Sequence, residues 1–398
     1  MIFAKIERNF NLFEGCELIL ECINRINTNC VKYDLITNKY GQDVIPAWIA
    51  DMDFKTAPKI LEMFSKRIEH GVFGYTFRSK EYYEAIVRWY KRRYECEINP
   101  EWIVDGPGVV PMIAILVNVL TQPKDKIIIQ PPVYPPFFDV VRRNDRIISA
   151  NRLIKTKEGY EMNFDDLEKL IDEKTKLLIL SNPHNPVGRV WSYEELERLC
   201  LIASKHHITL ISDEIHADVV YKPHRFTTIL KVTQEKVAVL NSPGKTFNIP
   251  GLTNSYGIIP DNEIRAAYKS ALERLELATG NIFGMEGLRA AYNDGEEWLD
   301  ELISYLQENR DFAYNFIKQQ MPLIDLFMPQ ATFLIWLDCS KLNVEDPQKF
   351  FLEKARVYLN PGSDFGDPKS VRLNIACDRQ LLLKILQRMK LAYDSLFR

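Results

Sequence analysis

The sequence of 398 residues predicts an α/β protein with a mainly parallel central β-sheet. Three apolar runs, at residues 175–180, 208–211 and 237–240, are short and unbroken rather than alternating. This pattern is typical of strands that are buried on both faces of a parallel sheet. The runs recur at roughly 30-residue intervals, which is the length of a βαβ unit. The last third of the chain mixes helix and strand patterns differently and predicts a smaller α+β domain.

Local signals predict the other elements. A helix is expected at residues 192–206, because Ser192 can cap it and because Leu196, Leu199 and Ile202 repeat at helical spacing. In chain order, the further predicted elements are a helix at 112–120, a strand at 127–129, helices at 270–277 and 298–319, strands at 333–337 and 371–375, and a terminal helix at 380–397.

The length of the chain allows two domains and a large core. We predict a large domain at residues 55–277 and a small C-terminal α+β domain at residues 278–398. The N-terminal segment, residues 1–54, is expected to pack with the small domain.

Composition excludes several classes of protein. The net charge of −3 supplies no electrostatic footprint for nucleic acid or for an anionic membrane. No apolar run approaches the roughly 18–20 residues of a membrane span, and the N-terminus does not resemble a signal peptide. The seven cysteines form no CxxC pair and no zinc-type spacing. We therefore expect a soluble cytoplasmic protein with free thiols, without a metal site.

Each apolar run of the predicted sheet ends at a polar motif. The run at 175–180 is followed by SNPHNPVG, the run at 208–211 by SDE, and the run at 237–240 by NSPGK. In open α/β sheets, ligands bind at the carboxyl ends of the strands. These motifs therefore predict a ligand site at one edge of the sheet.

Two charged residues in these motifs are candidates for chemistry. Lys245 could be a solvated surface lysine, but in a partly desolvated cleft its amine could form a Schiff base with a carbonyl cofactor or substrate. Asp213 could be a loop or capping carboxylate, but at the end of a buried strand it favours a cationic partner. His216 follows three residues later and could face the same site, although a lone histidine is more often structural.

Three further side chains are candidates for ligand contacts. Asn185 lies in a rigid Asn-Pro turn and could offer an amide donor, or serve only the turn. Tyr134 lies between two proline pairs, which suits a rigid aromatic platform or a packed loop. Arg372, among apolar neighbours, needs an anion, which could be a substrate carboxylate or a structural partner.

The loop before the predicted helix at 112–120 is a candidate for phosphate binding. Gly108 precedes the helix, where backbone N–H groups can hold a phosphate. A Gly-Pro-Gly sequence is also an ordinary loop. The chain contains neither GxGxxG nor GxxxxGK[ST], so dinucleotide-binding and P-loop interpretations lose their main support.

Together these motifs resemble pyridoxal 5′-phosphate (PLP) enzymes of fold type I, the aspartate aminotransferase type. Within that fold they are most similar to the cystathionine β-lyases of the MalY/PatB and cystalysin type. The resemblance covers about residues 25–392. It is carried by WIADMDF, HGVFGYT, QPPVYPPFF, NPHNPVGRVW, SDEIHAD, SPGKTFN, GEEWLD, NPGSDFG and VRLN.

The resemblance implies a role for each residue around the PLP ring. Lys245 would bind PLP covalently, and Asp213 would pair with the pyridinium nitrogen. Asn185, with His216, would lie near the phenolic oxygen. Tyr134 would stack on the ring.

The resemblance also implies which residues hold the phosphate. The backbone of Gly108, Val109 and Val110, with Ser242, would contact it. Tyr75 would reach it from the partner subunit, which implies a homodimer with shared active sites.

The implied activity is that of a C–S β-lyase, which converts an L-cysteine thioether to a thiol, pyruvate and ammonia by α,β-elimination. Arg372, helped by the Ile49 and Ala50 backbone, would bind the substrate α-carboxylate. An aminotransferase acting on a small L-amino acid is the nearest alternative, since it uses the same residues. A regulatory protein that keeps the fold is a further alternative.

Overall fold

The computed structural model describes residues 20–397. Its strands are β1 Ile45–Pro46, β2 Ile103–Gly106, β3 Lys126–Ile129, β4 Ile147–Ala150, β5 Ile154–Lys155, β6 Tyr160–Glu161, β7 Thr175–Ser181, β8 Thr209–Asp213, β9 Val237–Asn241, β10 Ser255–Ile258, β11 Leu334–Asp338, β12 Val357–Tyr358, β13 Asn360–Pro361 and β14 Ser370–Asn374. Its helices are α1 Asp34–Tyr40, α2 Pro58–His70, α3 Lys80–Tyr94, α4 Val109–Leu120, α5 Pro135–Arg143, α6 Phe164–Leu170, α7 Tyr193–Lys205, α8 Pro243–Thr246, α9 Asn262–Arg274, α10 Ile282–Asp294, α11 Glu296–Gln320, α12 Pro347–Phe350 and α13 Arg379–Asp394.

The central sheet has seven strands in the order β2-β10-β9-β8-β7-β3-β4. Strands β9, β8, β7, β3 and β4 are parallel, and β10 is antiparallel to both of its neighbours. The runs predicted as buried strands are β7, β8 and β9, and their apolar residues are buried, whereas Lys176 near the start of β7 is exposed. This arrangement confirms the predicted α/β fold class with a mainly parallel sheet.

The register of the parallel strands brings the polar motifs together. Ser181 at the end of β7 pairs with Asp213 at the end of β8, and Asp213 also pairs with Leu240 near the end of β9. The segments that follow these strands therefore leave the sheet at the same edge. Helix α7 begins with Ser192 and Glu195 in a capping box, as its sequence predicts.

A second, three-stranded antiparallel sheet has the order β11-β14-β13. It packs with the long helix α11 and with α13, and β1 pairs in parallel with β12 beside it. The domain boundaries at residues 54/55 and 277/278 stay predictions. Residues 1–19 of the predicted N-terminal segment lie outside the described residues. The expectation that the chain has no signal peptide depends on these residues and stays a prediction.

The boundaries of three helices differ most from the sequence prediction. Helix α9 spans Asn262–Arg274 rather than 270–277: Asp261 caps its start by accepting from the Glu263 and Ile264 N–H groups, and Glu276 adopts a left-handed φ of 55° just after its end. Helix α13 ends at Asp394, and a 3₁₀ turn follows it. Helix α4 begins at Val109 rather than at 112, so that Pro111 lies in its first turn. A proline is tolerated there because the N–H groups of the first turn have no intrahelical acceptor. No helix between residues 20 and 397 is both long and apolar enough to cross a bilayer.

Candidate active site

A cavity of about 270 Å³ opens at the edge of the sheet where β7, β8 and β9 end. It brings together most of the residues that the sequence predicts for the site. The predicted residues that line it are Ala50, Gly108, Val109, Val110, Tyr134, Asn185, Asp213, His216, Ser242 and Lys245.

Lys245 projects from the short helix α8 into this cavity. The helix begins after Ser242, whose hydroxyl oxygen accepts a hydrogen bond from the Gly244 N–H at 3.0 Å. The Lys245 ammonium donates to the carbonyl oxygen of Ala50. Burial, helped by the positive charge of Arg372, lowers the Lys245 pKa to about 8. The amine can therefore release and accept a proton near neutral pH.

Asp213 lies at the carboxyl end of β8 and is buried. Burial raises the pKa of its carboxyl group to about 7, although the Ile215 N–H, which donates to it at 3.1 Å, and the charge of Lys245 both lower it. The raised value means that these groups only partly compensate the lost hydration of the carboxylate. A cation bound beside Asp213 would restore its charged form.

His216 is buried next to the same cavity. Its Nδ1 atom has no hydrogen-bond partner among residues 20–397. Burial, with the positive charges of Lys245 and Arg372, lowers the pKa of its imidazole to about 3. His216 is therefore neutral at physiological pH and has a ring nitrogen available to a ligand.

Arg372, on β14, lies beside the cavity and contacts neutral groups, among them Asn185 of the cavity lining. Its guanidinium donates to Asn185 Oδ1 at 3.0 Å, to the Trp48 carbonyl at 3.0 Å and to Asn360 Oδ1 at 2.6 Å. It also lies 4.8 Å from the centre of the Phe365 ring. Burial lowers its pKa to about 10. Within the described part of the chain it forms no ion pair, so a bound carboxylate would supply the missing anion.

The first turn of α4 faces the cavity with free backbone N–H groups. Val109 and Val110 are its first two residues, and such positions have no intrahelical acceptor. Gly108 before them has a φ of 146°, which favours glycine. The Ser242 hydroxyl donates to the Asn254 carbonyl at 2.7 Å. The proton of Ser242 is therefore already committed within the chain.

Three predicted residues lie outside the lining of the cavity: Arg372, Tyr75 and Ile49. Arg372 contacts Asn185 of the lining. Tyr75 is fully exposed, in the segment between α2 and α3. Ile49 precedes Ala50, and the backbone N–H groups of these two residues have no acceptor within residues 20–397. These N–H groups are available to a ligand.

Sequence reasoning missed several residues of the site. Trp48 and Asn360 contact Arg372, and both lie in motifs that carry the family resemblance, which is the one signal that could have identified them. Ser181, the first residue of the SNPHNPVG motif, and Thr253 also line the cavity.

Glu214, next to Asp213, is fully buried, and burial raises its pKa from 4.5 to about 7. Because the folded state binds this proton more tightly than the unfolded state, the protonated carboxyl group contributes its full stability below the ordinary pKa. That contribution to the free energy of unfolding is lost as pH rises through 7. We expect Glu214→Gln to raise the free energy of unfolding by about 3 kcal/mol at pH 8 and by almost nothing at pH 4. Denaturant unfolding of the cofactor-free protein at both pH values measures this difference.

Glu62→Gln is the matched control for this prediction. Hydrogen bonds from Lys66 and Lys59 lower the pKa of this exposed carboxyl group. Its amide variant should therefore be slightly less stable than the parent at pH 8. An equal gain for both variants would contradict burial as the cause of the Glu214 effect.

Comparison with known proteins identifies the class to which this fold and site belong. The sequence model of the family "Aminotransferase class I and II" matches residues 32–389. The chain therefore belongs to the class I and II aminotransferase family, whose members depend on PLP. This confirms the family, fold class and cofactor predicted from the sequence.

Three relatives illustrate the similarity, and the first of them is named a cystathionine beta-lyase. The chain is 38% identical to cystathionine beta-lyase PatB of Bacillus subtilis, over 92% of this chain and 97% of the relative. It is 34% identical to protein MalY of Escherichia coli, over 91% and 95% of the two chains. The structure of cystalysin from Treponema denticola, which contains PLP, matches with a TM-score of 0.91 at 30% identity, covering 95% of this chain and 99% of that one.

Proposed function

We propose that this protein is a PLP-dependent C–S β-lyase that cleaves an L-cysteine thioether of the cystathionine type to a thiol, pyruvate and ammonia. One observation carries the proposal: a single cavity joins the low-pKa amine of Lys245 to the carboxylate of Asp213, and Arg372, which has no ion-pair partner among residues 20–397, contacts Asn185 of its lining. The relative PatB, which is named a cystathionine beta-lyase, supports the choice of reaction.

The residues present fit PLP on three counts. Asp213 needs a cation, which a protonated ring nitrogen supplies. His216, which lines the same cavity, has a buried ring nitrogen with no partner among residues 20–397, suited to a polar ring substituent. The N-terminus of α4, at Val109 and Val110, suits a phosphate. When bound, PLP supplies an electron sink for the charge that develops at the substrate Cα.

Three groups at the site then have separate roles in the elimination. Arg372 binds the substrate α-carboxylate as a planar fork and thereby orients the Cα–H bond. The Lys245 amine accepts the proton from Cα, since burial keeps its pKa near the working pH. The Ala50 carbonyl, which accepts a hydrogen bond from Lys245, keeps Nζ in place. Departure of the thiolate from Cβ completes the elimination.

Incubation of the PLP-loaded protein with L-cystathionine, without any keto acid, tests this function. We expect pyruvate and free thiol to accumulate in equal amounts, with continued turnover. Amino transfer that begins only when a keto acid is added would identify an aminotransferase instead. A protein that binds no PLP after reconstitution would favour the regulatory alternative.

The proposal includes a homodimer with shared active sites. The segment between α2 and α3 exposes Val72, Phe73, Tyr75 and Phe77, a run of apolar side chains that a partner subunit would cover. Tyr75 would then contact the phosphate in the other subunit.

Subunit mixing tests the shared site. We expect Lys245→Ala and Tyr75→Ala proteins to be weakly active alone, because every site then lacks one of the two groups. A 1:1 mixture that exchanges subunits should recover about a quarter of the wild-type activity, since half of its dimers are mixed and each has one intact site. A mixture no more active than its parts would place Tyr75 outside the partner's site.

A cytoplasmic location is also part of the proposal. Its support is that the cysteines within residues 20–397 are free thiols. The remaining cysteine, Cys16, lies outside the described residues.

A further inference from the structure

The backbone of residues 49–54 runs beside the candidate site, and we call it the wall because its Ala50 lines the cavity. Its Ala50 carbonyl accepts the hydrogen bond of Lys245, and the N–H groups of Ile49 and Ala50 are the ones that have no protein acceptor within residues 20–397. A tight turn, in which the Asp51 N–H donates to the Ile49 carbonyl at 2.9 Å, sets the direction of these groups. Any movement of this turn would displace both the lysine and the substrate carboxylate.

Asn374 holds one end of this wall. It lies two residues after Arg372 on β14 and is buried. Its amide nitrogen donates to the carbonyls of Ile49 and Asp51, both at 2.7 Å, so that it brackets the turn. Its Oδ1 accepts from the Ala376 N–H at 2.8 Å. Both amide hydrogens and the oxygen of Asn374 are therefore engaged.

Asn248 holds the other end. It lies three residues after Lys245 and contacts the backbone of Met52 and Phe54. Its Oδ1 accepts from the Met52 N–H at 2.9 Å, and its amide nitrogen donates to the Met52 carbonyl at 3.0 Å and the Phe54 carbonyl at 2.7 Å. Its φ of 54° lies in the left-handed region, which asparagine and glycine tolerate better than other residues.

We propose that Asn374 and Asn248 are positioning residues. They fix the backbone of residues 49–54 between helix α8, which carries Lys245, and strand β14, which carries Arg372. Each needs a carboxamide, because a carboxylate would direct oxygen lone pairs against two carbonyl oxygens. The effect on substrate rests on the proposed lyase function, whereas the effect on the backbone does not. Neither asparagine touches the substrate; each acts through the wall.

Two variants and a matched control test this proposal. Asn374→Asp keeps the shape of the side chain and removes both donors. Asn248→Gly keeps the left-handed backbone and removes the side chain, so it tests the proposal even if the first variant fails to fold. Asn309→Asp is the control, since the Asn309 amide donates to the Ile375 and Cys377 carbonyls, both at 2.9 Å. It therefore supports the segment whose Ala376 carbonyl accepts from the Asp53 N–H, without itself contacting residues 49–54.

The first measurement is hydrogen exchange at the Asp51 amide in the cofactor-free protein. Its acceptor, the Ile49 carbonyl, remains in every variant, so its exchange reports the rigidity of the turn. We expect exchange at Asp51 to accelerate at least about tenfold in Asn374→Asp and Asn248→Gly and to be unchanged in Asn309→Asp. Unchanged exchange in the folded variants, or equal acceleration in all three, would overturn the proposal.

The second measurement is the KM for L-cystathionine of the PLP-loaded variants. We expect a rise of about tenfold in the two wall variants, and none in Asn309→Asp. If the wild type has no lyase activity, the proposed function fails, and hydrogen exchange at Asp51 still decides the role of the asparagines. If exchange at the Asp51 amide accelerates while KM stays unchanged, the asparagines hold the backbone but do not position the substrate, and that part of the proposal is overturned.

Discussion

Replacement of Lys245 by alanine should reduce kcat by at least about a thousandfold, the contribution of a well-placed general base. Lys245 is the one lysine that lines the cavity among the described residues, and its lowered pKa of about 8 makes its amine a proton acceptor near neutral pH. The same variant should lose the visible absorption band of lysine-bound cofactor. Steady-state turnover and the absorption spectrum of the reconstituted protein measure both effects.

Thr246→Ser is the control for the Lys245 prediction. Thr246 is the next residue of α8, and its hydroxyl donates to the buried Asp218 at 2.8 Å. Serine keeps that hydrogen bond, so turnover and the absorption band should stay close to those of the wild type. A Lys245→Ala protein that keeps both its band and its turnover would remove lysine from the mechanism.

The sheet could be predicted because its strands differ so clearly from their surroundings. Strands β7, β8 and β9 are buried on both faces, so their sequences are continuous apolar runs that end abruptly at polar residues. Since parallel strands end at one edge, the sequence alone places Asp213, Asn185 and Lys245 near each other. The antiparallel β10 was missed, because its four residues, SYGI, include a glycine and have no distinctive period.

The site could be predicted only as far as its motifs reach. The acceptors around Arg372 are set by tertiary contacts: Trp48 is 324 residues away in sequence, and no local pattern connects the two. The proton of the Ser242 hydroxyl goes to the Asn254 carbonyl, a contact that depends on how the chain returns from α8. Local patterns therefore identify reactive residue types, whereas the hydrogen-bond partners require the fold.

Replacement of Arg372 by glutamine should separate function from stability. We expect kcat/KM to fall by roughly a hundred- to several-thousandfold, because removal of a buried charged partner of a carboxylate costs about 3–5 kcal/mol. The cofactor-free protein should at the same time keep or gain stability. Among residues 20–397, the buried Arg372 guanidinium contacts neutral oxygens and the Phe365 ring and forms no ion pair, and burial lowers its pKa to about 10. Kinetics with L-cystathionine and denaturant unfolding measure the two effects.

Arg310→Gln is the matched control for this separation. Arg310 is also buried, but its guanidinium pairs with Asp311 at 2.6 Å and lies 4.5 Å from the centre of the Tyr221 ring. Its removal should therefore lower stability and leave the KM unchanged. A clear loss of stability in Arg372→Gln, with an unchanged KM, would assign Arg372 to the architecture of the fold. The opposite result is a loss of kcat/KM without a loss of stability, and it would mean that the substrate supplies the anion for Arg372. A buried charge without a partner persists only where binding compensates the free-energy cost of burying it.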